Sequence, residues 1–445
     1  MQPKIGDSVK SENWDKNFKI KAKLGEGGQG SVFLVESSND SFALKWYNQR
    51  QATDDQRSAI TRLVSSGPPP GFAAKRFVWP LDLVTMKNSQ LFGYLMPLID
   101  TKRFSDLEEV WKHKKPEPGM RALCEISYKL AESYRALHKS GYCYRDVSHR
   151  NLMFNSQTGD ILICDNDNVG INRQSVCQVE GTIEYMAPEI INGANKPSTE
   201  SDLHSLAVLL FNLWMWHHPL HGLLEHKLKA WDIPAKVLVY GKNPVFIFDP
   251  TNRSNAVPND NSYDTVKRRW HHCPKLLKDL FTKAFTIGLK NASRRIVENE
   301  WRHAFLQLKD GIISCPYCRA ENIWEPGMNK MTCWYDKCKK NINLPPKLLI
   351  KNSVGTHFIL LDINSTIQKR HIDPLSQEEE TPTLLGQVIQ NPKDSTQWGI
   401  KNLTQQSWAV TFPNASTTVI SPNMAAPLNL GAKIDLNGVV AEIVI

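Results

Sequence analysis

The chain has 445 residues, of which 41% are apolar and 22% are charged, and its formal net charge is +9. This balance is typical of a globular protein with two or three domains. No apolar run reaches the roughly 18 residues that a membrane helix needs, which excludes a membrane-spanning protein. The basic charge fits nucleotide binding as well as nucleic-acid binding, so it selects neither.

The cysteines and the first residues predict the compartment. Nine cysteines comprise one compact group of four and five scattered singles. This distribution indicates reduced thiols and a metal site rather than a disulfide framework. The first ten residues lack the apolar run of a secretory signal. We therefore expect a cytoplasmic protein without membrane contact.

The sequence changes character twice along the chain. Residues 15–309 open with alternating strand-like runs and continue with helical periodicity. Residues 310–346 are cysteine-bearing and rich in Lys, Trp and Pro, whereas residues 350–445 are short β-type runs divided by Asn, Pro, Gly and Ser. We predict an α+β domain, a small metal-stabilised module and an all-β sandwich over these three ranges.

The first motif is a glycine-rich hairpin of the form G-x-G-x-x-G-x-V between two predicted strands. Glycine allows the backbone to fold tightly, so that N–H groups can face phosphate oxygens. The motif continues into a strand rather than a helix, which argues against a dinucleotide-binding turn. The candidate nucleotide contacts of this hairpin are Gly25, Glu26, Gly27, Gly28, Gln29, Gly30, Ser31 and Val32.

A lysine in the next predicted strand strengthens this interpretation. Lys45 ends an A-x-K sequence that follows the hairpin. An isolated strand lysine is ordinarily a solvated side chain. In combination with the glycine hairpin, its ammonium group is predicted to neutralise the α- and β-phosphates of ATP.

A third motif carries the predicted chemistry. Asp146 and Asn151 form a D-x-x-x-x-N segment, and Asp165 ends an apolar strand that follows it. This combination resembles the protein kinase family, whose loop is H-R-D-x-x-x-x-N, with Tyr144 in place of the histidine. The resemblance implies that Asp146 accepts the proton of a substrate hydroxyl, and that Asn151 and Asp165 bind Mg²⁺ or Mn²⁺.

Further family motifs follow in family order. The resemblance implies that Thr182 bonds Asp146, which is the arrangement of serine/threonine kinases, whereas tyrosine kinases carry a proline. Turn capping is the alternative role of Thr182. The resemblance also implies that Asp202 fixes the catalytic-loop backbone and that Glu189 pairs with Arg295. The residues implied to surround the adenine are Val32, Ala43, Met96, Leu98 and Met153.

The sequence departs from the family at the metal-binding motif. The family's Asp-Phe-Gly is Asp165-Asn166-Asp167 here, so Asp167 is an alternative metal ligand. The lysine that contacts the γ-phosphate is replaced by Ser148. Arg150 is predicted to supply that charge instead, since guanidinium grips phosphate oxygens.

The acid expected on the regulatory helix is also missing. No glutamate occurs between Lys45 and Glu108, so we predict that Asp55 pairs with Lys45. This shorter partner predicts low basal activity or activation by a protein partner. Ser175 is the candidate autophosphorylation site in the activation loop, and a solvated serine without a role is the alternative.

Two cysteine pairs with knuckle spacing predict a closed tetrahedral zinc site. A segment of this size cannot bury a core alone, so bound zinc is predicted to fold a ribbon over residues 310–346. Its lysines are interpreted as solvated side chains rather than a nucleic-acid surface. The four predicted zinc ligands are Cys315, Cys318, Cys333 and Cys338.

The predicted sandwich over residues 350–445 is similar to a forkhead-associated domain, a phosphothreonine reader. The family's Gly-Arg is Gly386-Gln387 here, and no S-R-x-H element is visible. Docking of a regulatory partner or self-association is therefore the preferred role. The order of kinase, zinc ribbon and sandwich is similar to bacterial kinases of tellurite-resistance-associated phosphorylation systems.

These observations predict a bilobal α+β protein kinase fold followed by a zinc ribbon and a β-sandwich. The predicted activity is transfer of phosphate from ATP to protein serine or threonine, with autophosphorylation and regulation by a partner. A pseudokinase scaffold that binds nucleotide without transfer is one alternative. A small-molecule phosphotransferase is the other.

Overall fold

The computed structural model describes most of the chain, namely residues 2–38, 40–174, 181–352, 355–363, 365–373 and 382–445. These residues contain no helix with the length and apolar character required to cross a lipid bilayer. Two compact units are present. One comprises Met1–Pro118 with Glu125–Arg302, and the other comprises Gly119–Cys124 with His303–Ile445.

The first unit opens with six antiparallel strands. They are β1 (Ser8–Ser11), β2 (Asn17–Gly27), β3 (Gly30–Ser37), β4 (Asp40–Tyr47), β5 (Asp82–Thr85) and β6 (Phe92–Met96). The strand order β1-β2-β3-β4-β6-β5 closes into a barrel through pairing of β1 with β5. Alternate side chains point inward, and Phe18, Phe33 and Trp46 are among the residues of its apolar core.

One glycine of the hairpin between β2 and β3 is required by packing. A Cβ on Gly30 would lie 2.0 Å from the carbonyl oxygen of Trp46 on β4. No larger residue fits there without moving backbone, whereas Gly25, Gly27 and Gly28 have open space around them. The glycine-rich sequence therefore combines one packing position with three positions that leave the hairpin surface bare.

Helix α1 (Asp54–Ser66) follows β4 in the chain, and a short 3-10 helix (Gly71–Arg76) comes between it and β5. Thr53 caps the start of α1 by accepting a hydrogen bond from the backbone N–H of Gln56. Gly67 ends it with a φ of 68°, a left-handed conformation that favours glycine at the end of a helix. Ile60 and Leu63 form its buried face.

The rest of this unit is mainly helical, with five short strands that position loops. The strands are β7 (Ser105–Asp106), β8 (Tyr142–Cys143), β9 (Leu152–Phe154), β10 (Ile161–Ile163) and β11 (Gly170–Ile171). The helices are α2 (Leu107–Trp111), α3 (Met120–Lys139), α4 (Pro188–Ile191), α5 (Thr199–Met215), α6 (Leu223–His226), α7 (Ile233–Lys236), α8 (Asp264–His272), α9 (Lys275–Phe285), α10 (Ile287–Lys290) and α11 (Glu298–Asp310). The start of α3 and the second part of α11 belong to the other unit.

Helix α5 is the central helix of this region, and it is buried on all sides. Such a helix belongs to the core of a domain rather than to its surface. Its start is fixed by a capping box between Ser198 and Ser201. The helix therefore provides a rigid support for Asp202 in its first turn.

The second unit is rich in β-structure. Two short hairpins come first, formed by β12 (Ile312–Ser314) with β13 (Glu321–Ile323) and by β14 (Met331–Thr332) with β15 (Asn341–Ile342). The remaining elements are β16 (Lys347–Asn352), β17 (Gly355–Leu360), β18 (Thr366–Gln368), α12 (Lys369–Ile372), β19 (Leu384–Asn391), β20 (Asp394–Asn402), β21 (Trp408–Thr411), β22 (Thr417–Ile420), β23 (Ala425–Pro427), β24 (Lys433–Asp435) and β25 (Val440–Val444).

Strands β16 to β25 form two antiparallel sheets, ordered β17-β16-β25-β24-β21-β22 and β18-β19-β20-β23. One apolar cluster draws on both sheets and includes Ile350, Val388, Ile400 and Trp408. Two sheets that share one core form a sandwich, in agreement with the β-rich region that the sequence predicts. A Cβ on Gly386 would lie 2.8 Å from the ring of Trp408, so packing explains this glycine.

Candidate active site

Lys45 lies buried on β4, and its ammonium group contacts three side chains. Its Nζ lies 2.6 Å from Oε1 of Gln29, 2.8 Å from Oδ2 of Asp167 and 3.4 Å from Oδ1 of Asp165. Burial lowers the pKa of Lys45, but the carboxylates of Asp167 and Asp165 outweigh it and the net shift is upward. Lys45 therefore stays positively charged inside the site.

The structure corrects the prediction for Asp55. This residue is exposed in the first turn of α1, and the described residues include no ion pair between it and Lys45. Gln56, on the same side as buried Ile60, is the α1 residue that points to the site. The physical reason is helical geometry, since consecutive helix residues point about 100° apart and Asp55 faces water when Ile60 faces the core.

Asp146 lies in the loop between β8 and β9, where two residues orient its carboxylate. Oδ1 accepts hydrogen bonds of 2.9 Å from both the backbone N–H and the hydroxyl of Thr182. Oδ2 accepts one of 2.9 Å from Nδ2 of Asn151, which also donates to the Asp146 carbonyl. The structure thus places Thr182 on Asp146, as the resemblance implies, and adds a hydrogen bond from Asn151, which the resemblance assigned to the metal ion.

The loop that carries Asp146 is fixed from beneath by Asp202. Oδ1 of Asp202 accepts a 3.0 Å hydrogen bond from the backbone N–H of Arg145, and Oδ2 accepts one from that of Tyr144. Arg145 has a φ of 74°, a conformation that needs such outside support. The buried hydroxyl of Tyr144 donates to the carbonyl of Cys164, which joins this loop to the strand that precedes Asp165.

His138 adds a charge to this support. Its Nε2 lies 3.1 Å from Oδ2 of Asp202, and its Nδ1 contacts Glu298. Burial lowers the pKa of His138, but hydrogen bonds to Asp202 and Glu298 outweigh it and raise the pKa to about 9. The imidazolium is therefore the folded-state form at neutral pH.

This ion cluster predicts a pH-dependent stability. Because the folded pKa of His138 exceeds its ordinary value of 6.5, the stabilisation is complete below pH 6.5 and is lost as the pH rises through about 9. A shift of this size corresponds to roughly 3 kcal/mol of unfolding free energy. Urea unfolding of the parent protein and of His138→Gln at pH 6 and pH 10 measures it. We expect the difference between them to shrink at pH 10, and an unchanged difference would contradict the assignment.

The oxygen atoms near Asp165 suit a magnesium ion. Asp165 adopts a left-handed conformation with a φ of 48°, directly after β10. Asn151 uses its amide nitrogen for both hydrogen bonds to Asp146, so Oδ1 is the atom that can bind a cation. Carboxylate and amide oxygens are the ligands that Mg²⁺ prefers. The residues of this site therefore fit the ion that the resemblance implies.

The predicted nucleotide contacts lie on the barrel strands and on β9. Ala43 and Met96 are buried and directly paired between β4 and β6. Val32, on β3, pairs with Lys45 and is half-buried, as is Met153 on β9. Leu98 is exposed after β6. The remaining hairpin residues are exposed from Gly25 to Gly28, including Glu26, half-buried at Gln29 and Gly30, and buried at Ser31.

Of two further predicted residues, Arg150 lies within the described part of the chain and Ser175 does not. The side chain of Arg150 is exposed in the short turn His149–Asn151, so its role toward phosphate stays a prediction. Ser175, the candidate phosphorylation site, lies outside the described residues. Sequence reasoning missed Tyr47, whose hydroxyl donates a 2.6 Å hydrogen bond to Asp167. Tyr47 follows Lys45 by two positions, and strand residues with that spacing share a face.

Glu189 and Arg295 form the implied ion pair in this unit. Two parallel hydrogen bonds of 2.7 Å join the guanidinium to both carboxylate oxygens, and the side chain of Arg295 is only 3% exposed. Removing one partner of such a pair is expected to lower the unfolding free energy by about 3–5 kcal/mol. Urea unfolding of Glu189→Gln measures this loss.

A partly exposed pair in the same unit provides the control. Glu300 lies 2.9 Å from Lys283, with about two fifths of each side chain exposed. Glu300→Gln is expected to cost at most about 1 kcal/mol. If Glu189→Gln and Glu300→Gln lower the unfolding free energy equally, the buried pair does not stabilise the fold more than the partly exposed pair, which would contradict the prediction.

The four clustered cysteines of the second unit lie together. Their sulfur atoms lie within 4.8 Å of one another, with Cys315 and Cys338 at 3.8 Å and Cys318 and Cys333 at 3.6 Å. A tetrahedral zinc site with Zn–S bonds of about 2.3 Å separates its sulfurs by about 3.8 Å. The cluster therefore has the size of a four-thiolate zinc site.

The two cysteine pairs are followed by the same backbone conformation. The residue after each pair, Arg319 and Lys339, has a positive φ of 65° and 49°, respectively. In addition, Nδ2 of Asn322 lies 3.8 Å from the sulfur of Cys333, and its Oδ1 accepts from the backbone N–H of Trp334. A polar donor to a ligand sulfur is the kind of support that orients metal ligands.

The chain is similar in sequence to several known kinases. Human ribosomal protein S6 kinase alpha-4 is 27% identical over 217 residues, which cover 44% of this chain and 26% of the relative. Glycogen synthase kinase 1 of Pyricularia oryzae is 22% identical over 331 residues, 70% of this chain and 82% of the relative. Protein kinase YegI of Escherichia coli strain K12 is 25% identical over 216 residues, 45% and 32% respectively.

The chain also matches a protein family. The chain spans about a quarter of the human relative and about a third of the E. coli relative. The protein kinase domain family matches residues 18–286, which is more than half of the chain. This chain therefore belongs to the protein kinase domain family.

Proposed function

We propose that this chain transfers the γ-phosphate of ATP to serine or threonine hydroxyls of proteins. One observation carries the proposal. The Asp146 carboxylate is held on one oxygen by Thr182 and on the other by Asn151, in the same unit as buried Lys45 and the neighbouring Asp165. A carboxylate fixed in this way can accept a proton from a hydroxyl aimed at phosphorus.

Asp146 is assigned the proton-accepting role. As the acceptor oxygen forms its bond to the γ-phosphorus, its O–H bond breaks and the proton passes to the carboxylate. The bond between the γ-phosphorus and the bridging oxygen breaks, and ADP leaves. Two hydrogen bonds from Thr182 hold Oδ1, so Oδ2 is the oxygen that is assigned to accept the proton.

Lys45 and the metal-binding oxygen atoms are assigned the role of neutralising the negative charges of the phosphates. Lys45 stays charged because the nearby carboxylates raise its pKa. Asp165 and Asn151 would hold Mg²⁺, which when bound neutralises phosphate charge. The hairpin from Gly25 to Gly30 would cover the phosphates with backbone N–H groups. These contacts position the reactants and stabilise charge, which is the main contribution of protein to phosphoryl transfer.

Thr182 supports serine or threonine as the acceptor. Its hydroxyl donates to Asp146, so the segment that leads to Glu189 runs directly beside the proton acceptor. The family's tyrosine-specific members carry a proline at this position and a differently shaped platform for the substrate. The curated relatives are themselves described as kinases, which supports a protein substrate.

A nucleotide-binding scaffold without transfer is the second candidate. It is favoured by the contacts of Lys45, because Gln29, Asp165 and Asp167 already surround its ammonium group. A small-molecule phosphotransferase is a weaker candidate, since that class generally lacks the segment between Thr182 and Glu189.

The remaining modules are proposed to regulate the kinase. Zinc bound by the four cysteines would fold a ribbon over residues 310–346, after a kinase domain over residues 15–309. The sandwich over residues 350–445 is proposed to dock a regulatory protein or a second copy. Gln387 in place of the arginine of forkhead-associated domains argues against a phosphothreonine ligand. A cytoplasmic location is proposed from the reduced cysteines.

Purified full-length protein incubated with Mg²⁺, γ-labelled ATP and a generic Ser/Thr protein tests the activity. The proposal expects label in the acceptor protein or in the chain itself, recovered as phosphoserine or phosphothreonine after acid hydrolysis. Nucleotide binding without any transferred label would support the scaffold. Recovery of label only as phosphotyrosine would overturn the specificity.

A further inference from the structure

Helix α1 has no acid in contact with Lys45, and yet Lys45 has a fully buried partner. Asp54 and Asp55 are exposed in the first turn of α1. The side chain of Asp167 is 0% exposed, and its two oxygens lie 2.8 Å and 3.0 Å from Nζ of Lys45. A buried carboxylate is tolerated only with such partners.

A second donor fixes the same carboxylate. The hydroxyl of Tyr47 donates a 2.6 Å hydrogen bond to Oδ2 of Asp167. Tyr47 and Lys45 lie two positions apart on β4, so their side chains leave the strand on one face. Burial and the nearby Asp167 raise the pKa of Tyr47 well above its ordinary value, which keeps the phenol protonated as a donor.

The chain of contacts ends on α1. Nε2 of Gln56 donates a 3.0 Å hydrogen bond to the Tyr47 oxygen. Gln56 lies one turn before buried Ile60, on the helix face that packs inward. Four side chains therefore connect α1 to the ammonium group, in the order Gln56, Tyr47, Asp167 and Lys45.

We propose that Asp167 is the positioning residue for Lys45, and that Tyr47 and Gln56 link this pair to the position of α1. The acid that positions the lysine thus comes from the turn after Asp165 instead of from the helix. A movement of α1 would remove the hydrogen bond from Gln56 to the Tyr47 oxygen, and would so loosen the phenol that orients Asp167 against Lys45. The proposal rests on the proposed function only in that Lys45 binds the phosphates of a nucleotide.

Tyr47→Phe is the main test, because it removes one hydroxyl and changes no charge. The dissociation constant of a fluorescent ATP analogue is measured with the full chain, in EDTA and in Mg²⁺. We expect binding to weaken about two- to tenfold in both, the range of one hydrogen bond. Gln56→Leu is expected to have a smaller effect in the same direction. Asp54→Asn, on the exposed side of α1, is the control and is expected to change nothing.

Coupling between variants separates positioning from a structural role. Tyr47→Phe is repeated in chains that already carry Lys45→Met or Asp167→Asn. If the hydroxyl acts through Asp167 on Lys45, it has no further effect in either background. The same weakening in the Lys45→Met background would overturn the proposal, as would no effect in the parent chain. If Asp167→Asn does not fold, the Lys45→Met background decides.

Three other outcomes are informative. A Tyr47→Phe defect seen only with Mg²⁺ would mean that Asp167 serves the cation, and would overturn the positioning role. Failure of the parent chain to transfer label from ATP, with nucleotide binding and coupling intact, would refute the kinase activity and support this inference. A chain that binds no nucleotide would overturn both.

Discussion

Asp146→Ala is expected to lower the rate of phosphoryl transfer by about 10²–10⁴-fold, the usual contribution of a positioned proton acceptor. The variant removes the carboxylate that Thr182 and Asn151 orient, while Lys45 and Asp165 keep their contacts. Nucleotide affinity should therefore change little. Initial rates with saturating ATP, together with the dissociation constant of an ATP analogue, measure both quantities.

Variants at Thr182 and at a distant aspartate make this test specific. Thr182→Val removes the hydroxyl bond to Asp146 and should lower the rate by about tenfold, whereas Thr182→Ser keeps it and should restore most activity. Asp100→Asn alters an exposed turn carboxylate and should leave the rate unchanged. Undiminished transfer by Asp146→Ala would mean that the chemistry occurs elsewhere.

Cys333→Ser is expected to abolish retention of one zinc ion per chain and to unfold the hairpins around it. Structural zinc contributes apparent binding free energies of about 10–16 kcal/mol to small modules. The short hairpins of residues 312–342 share a small apolar cluster that includes the cysteines themselves, so loss of the metal removes part of the core that holds them. Metal analysis after dialysis against a mild chelator, followed by limited proteolysis, measures both effects.

A cysteine outside the cluster provides the matched control. Cys273 is buried at the end of α8 in the other unit, so Cys273→Ala should keep the zinc content and the proteolysis pattern. A parent chain that contains no zinc when purified without chelator would contradict the assignment. So would a Cys333→Ser protein that is as resistant to protease as the parent.

The sequence alone predicted the parts of the site that are encoded locally. Asp146 and Asn151 lie five positions apart, so the sequence placed them in one loop, although it did not predict the hydrogen bond between them. The glycine hairpin and the strand of Lys45 are adjacent in sequence and pair directly. The resemblance to kinases added the distant contacts of Thr182, Asp202 and Arg295, because the order of motifs carries the fold with it.

The partner of Lys45 could not be read in the same way. The prediction of Asp55 assumed that the helix supplies an acid, and it ignored which face of α1 turns inward. Asp167 is 122 positions from Lys45, so only the fold shows that the two meet. Because alternate residues of a strand share a face, the sequence of β4 would have placed Tyr47 beside Lys45. Nothing in the sequence indicates that the Tyr47 hydroxyl bridges Asp167 and Gln56.

The β-rich C-terminal region was predictable for a different reason. Its short runs alternate in polarity and are divided by turn residues, which is a local signal. The order of strands across the two sheets is not local, and no pattern in residues 350–445 fixed it. Gly386 shows what the sequence could not reveal. From the sequence it was compared with the Gly-Arg motif of forkhead-associated domains, whereas the structure explains this glycine by its packing against the ring of Trp408.

The central claim is that Lys45, Asp146, Asn151 and Asp165 act on one nucleotide. A crystal structure with Mg²⁺ and a non-hydrolysable ATP analogue tests it most directly. We expect the phosphates beneath the glycine hairpin, an oxygen within hydrogen-bonding distance of Nζ of Lys45, and a metal ion on Asp165 and Asn151. A nucleotide bound elsewhere, or phosphates out of reach of Lys45 and Asp165, would contradict the account.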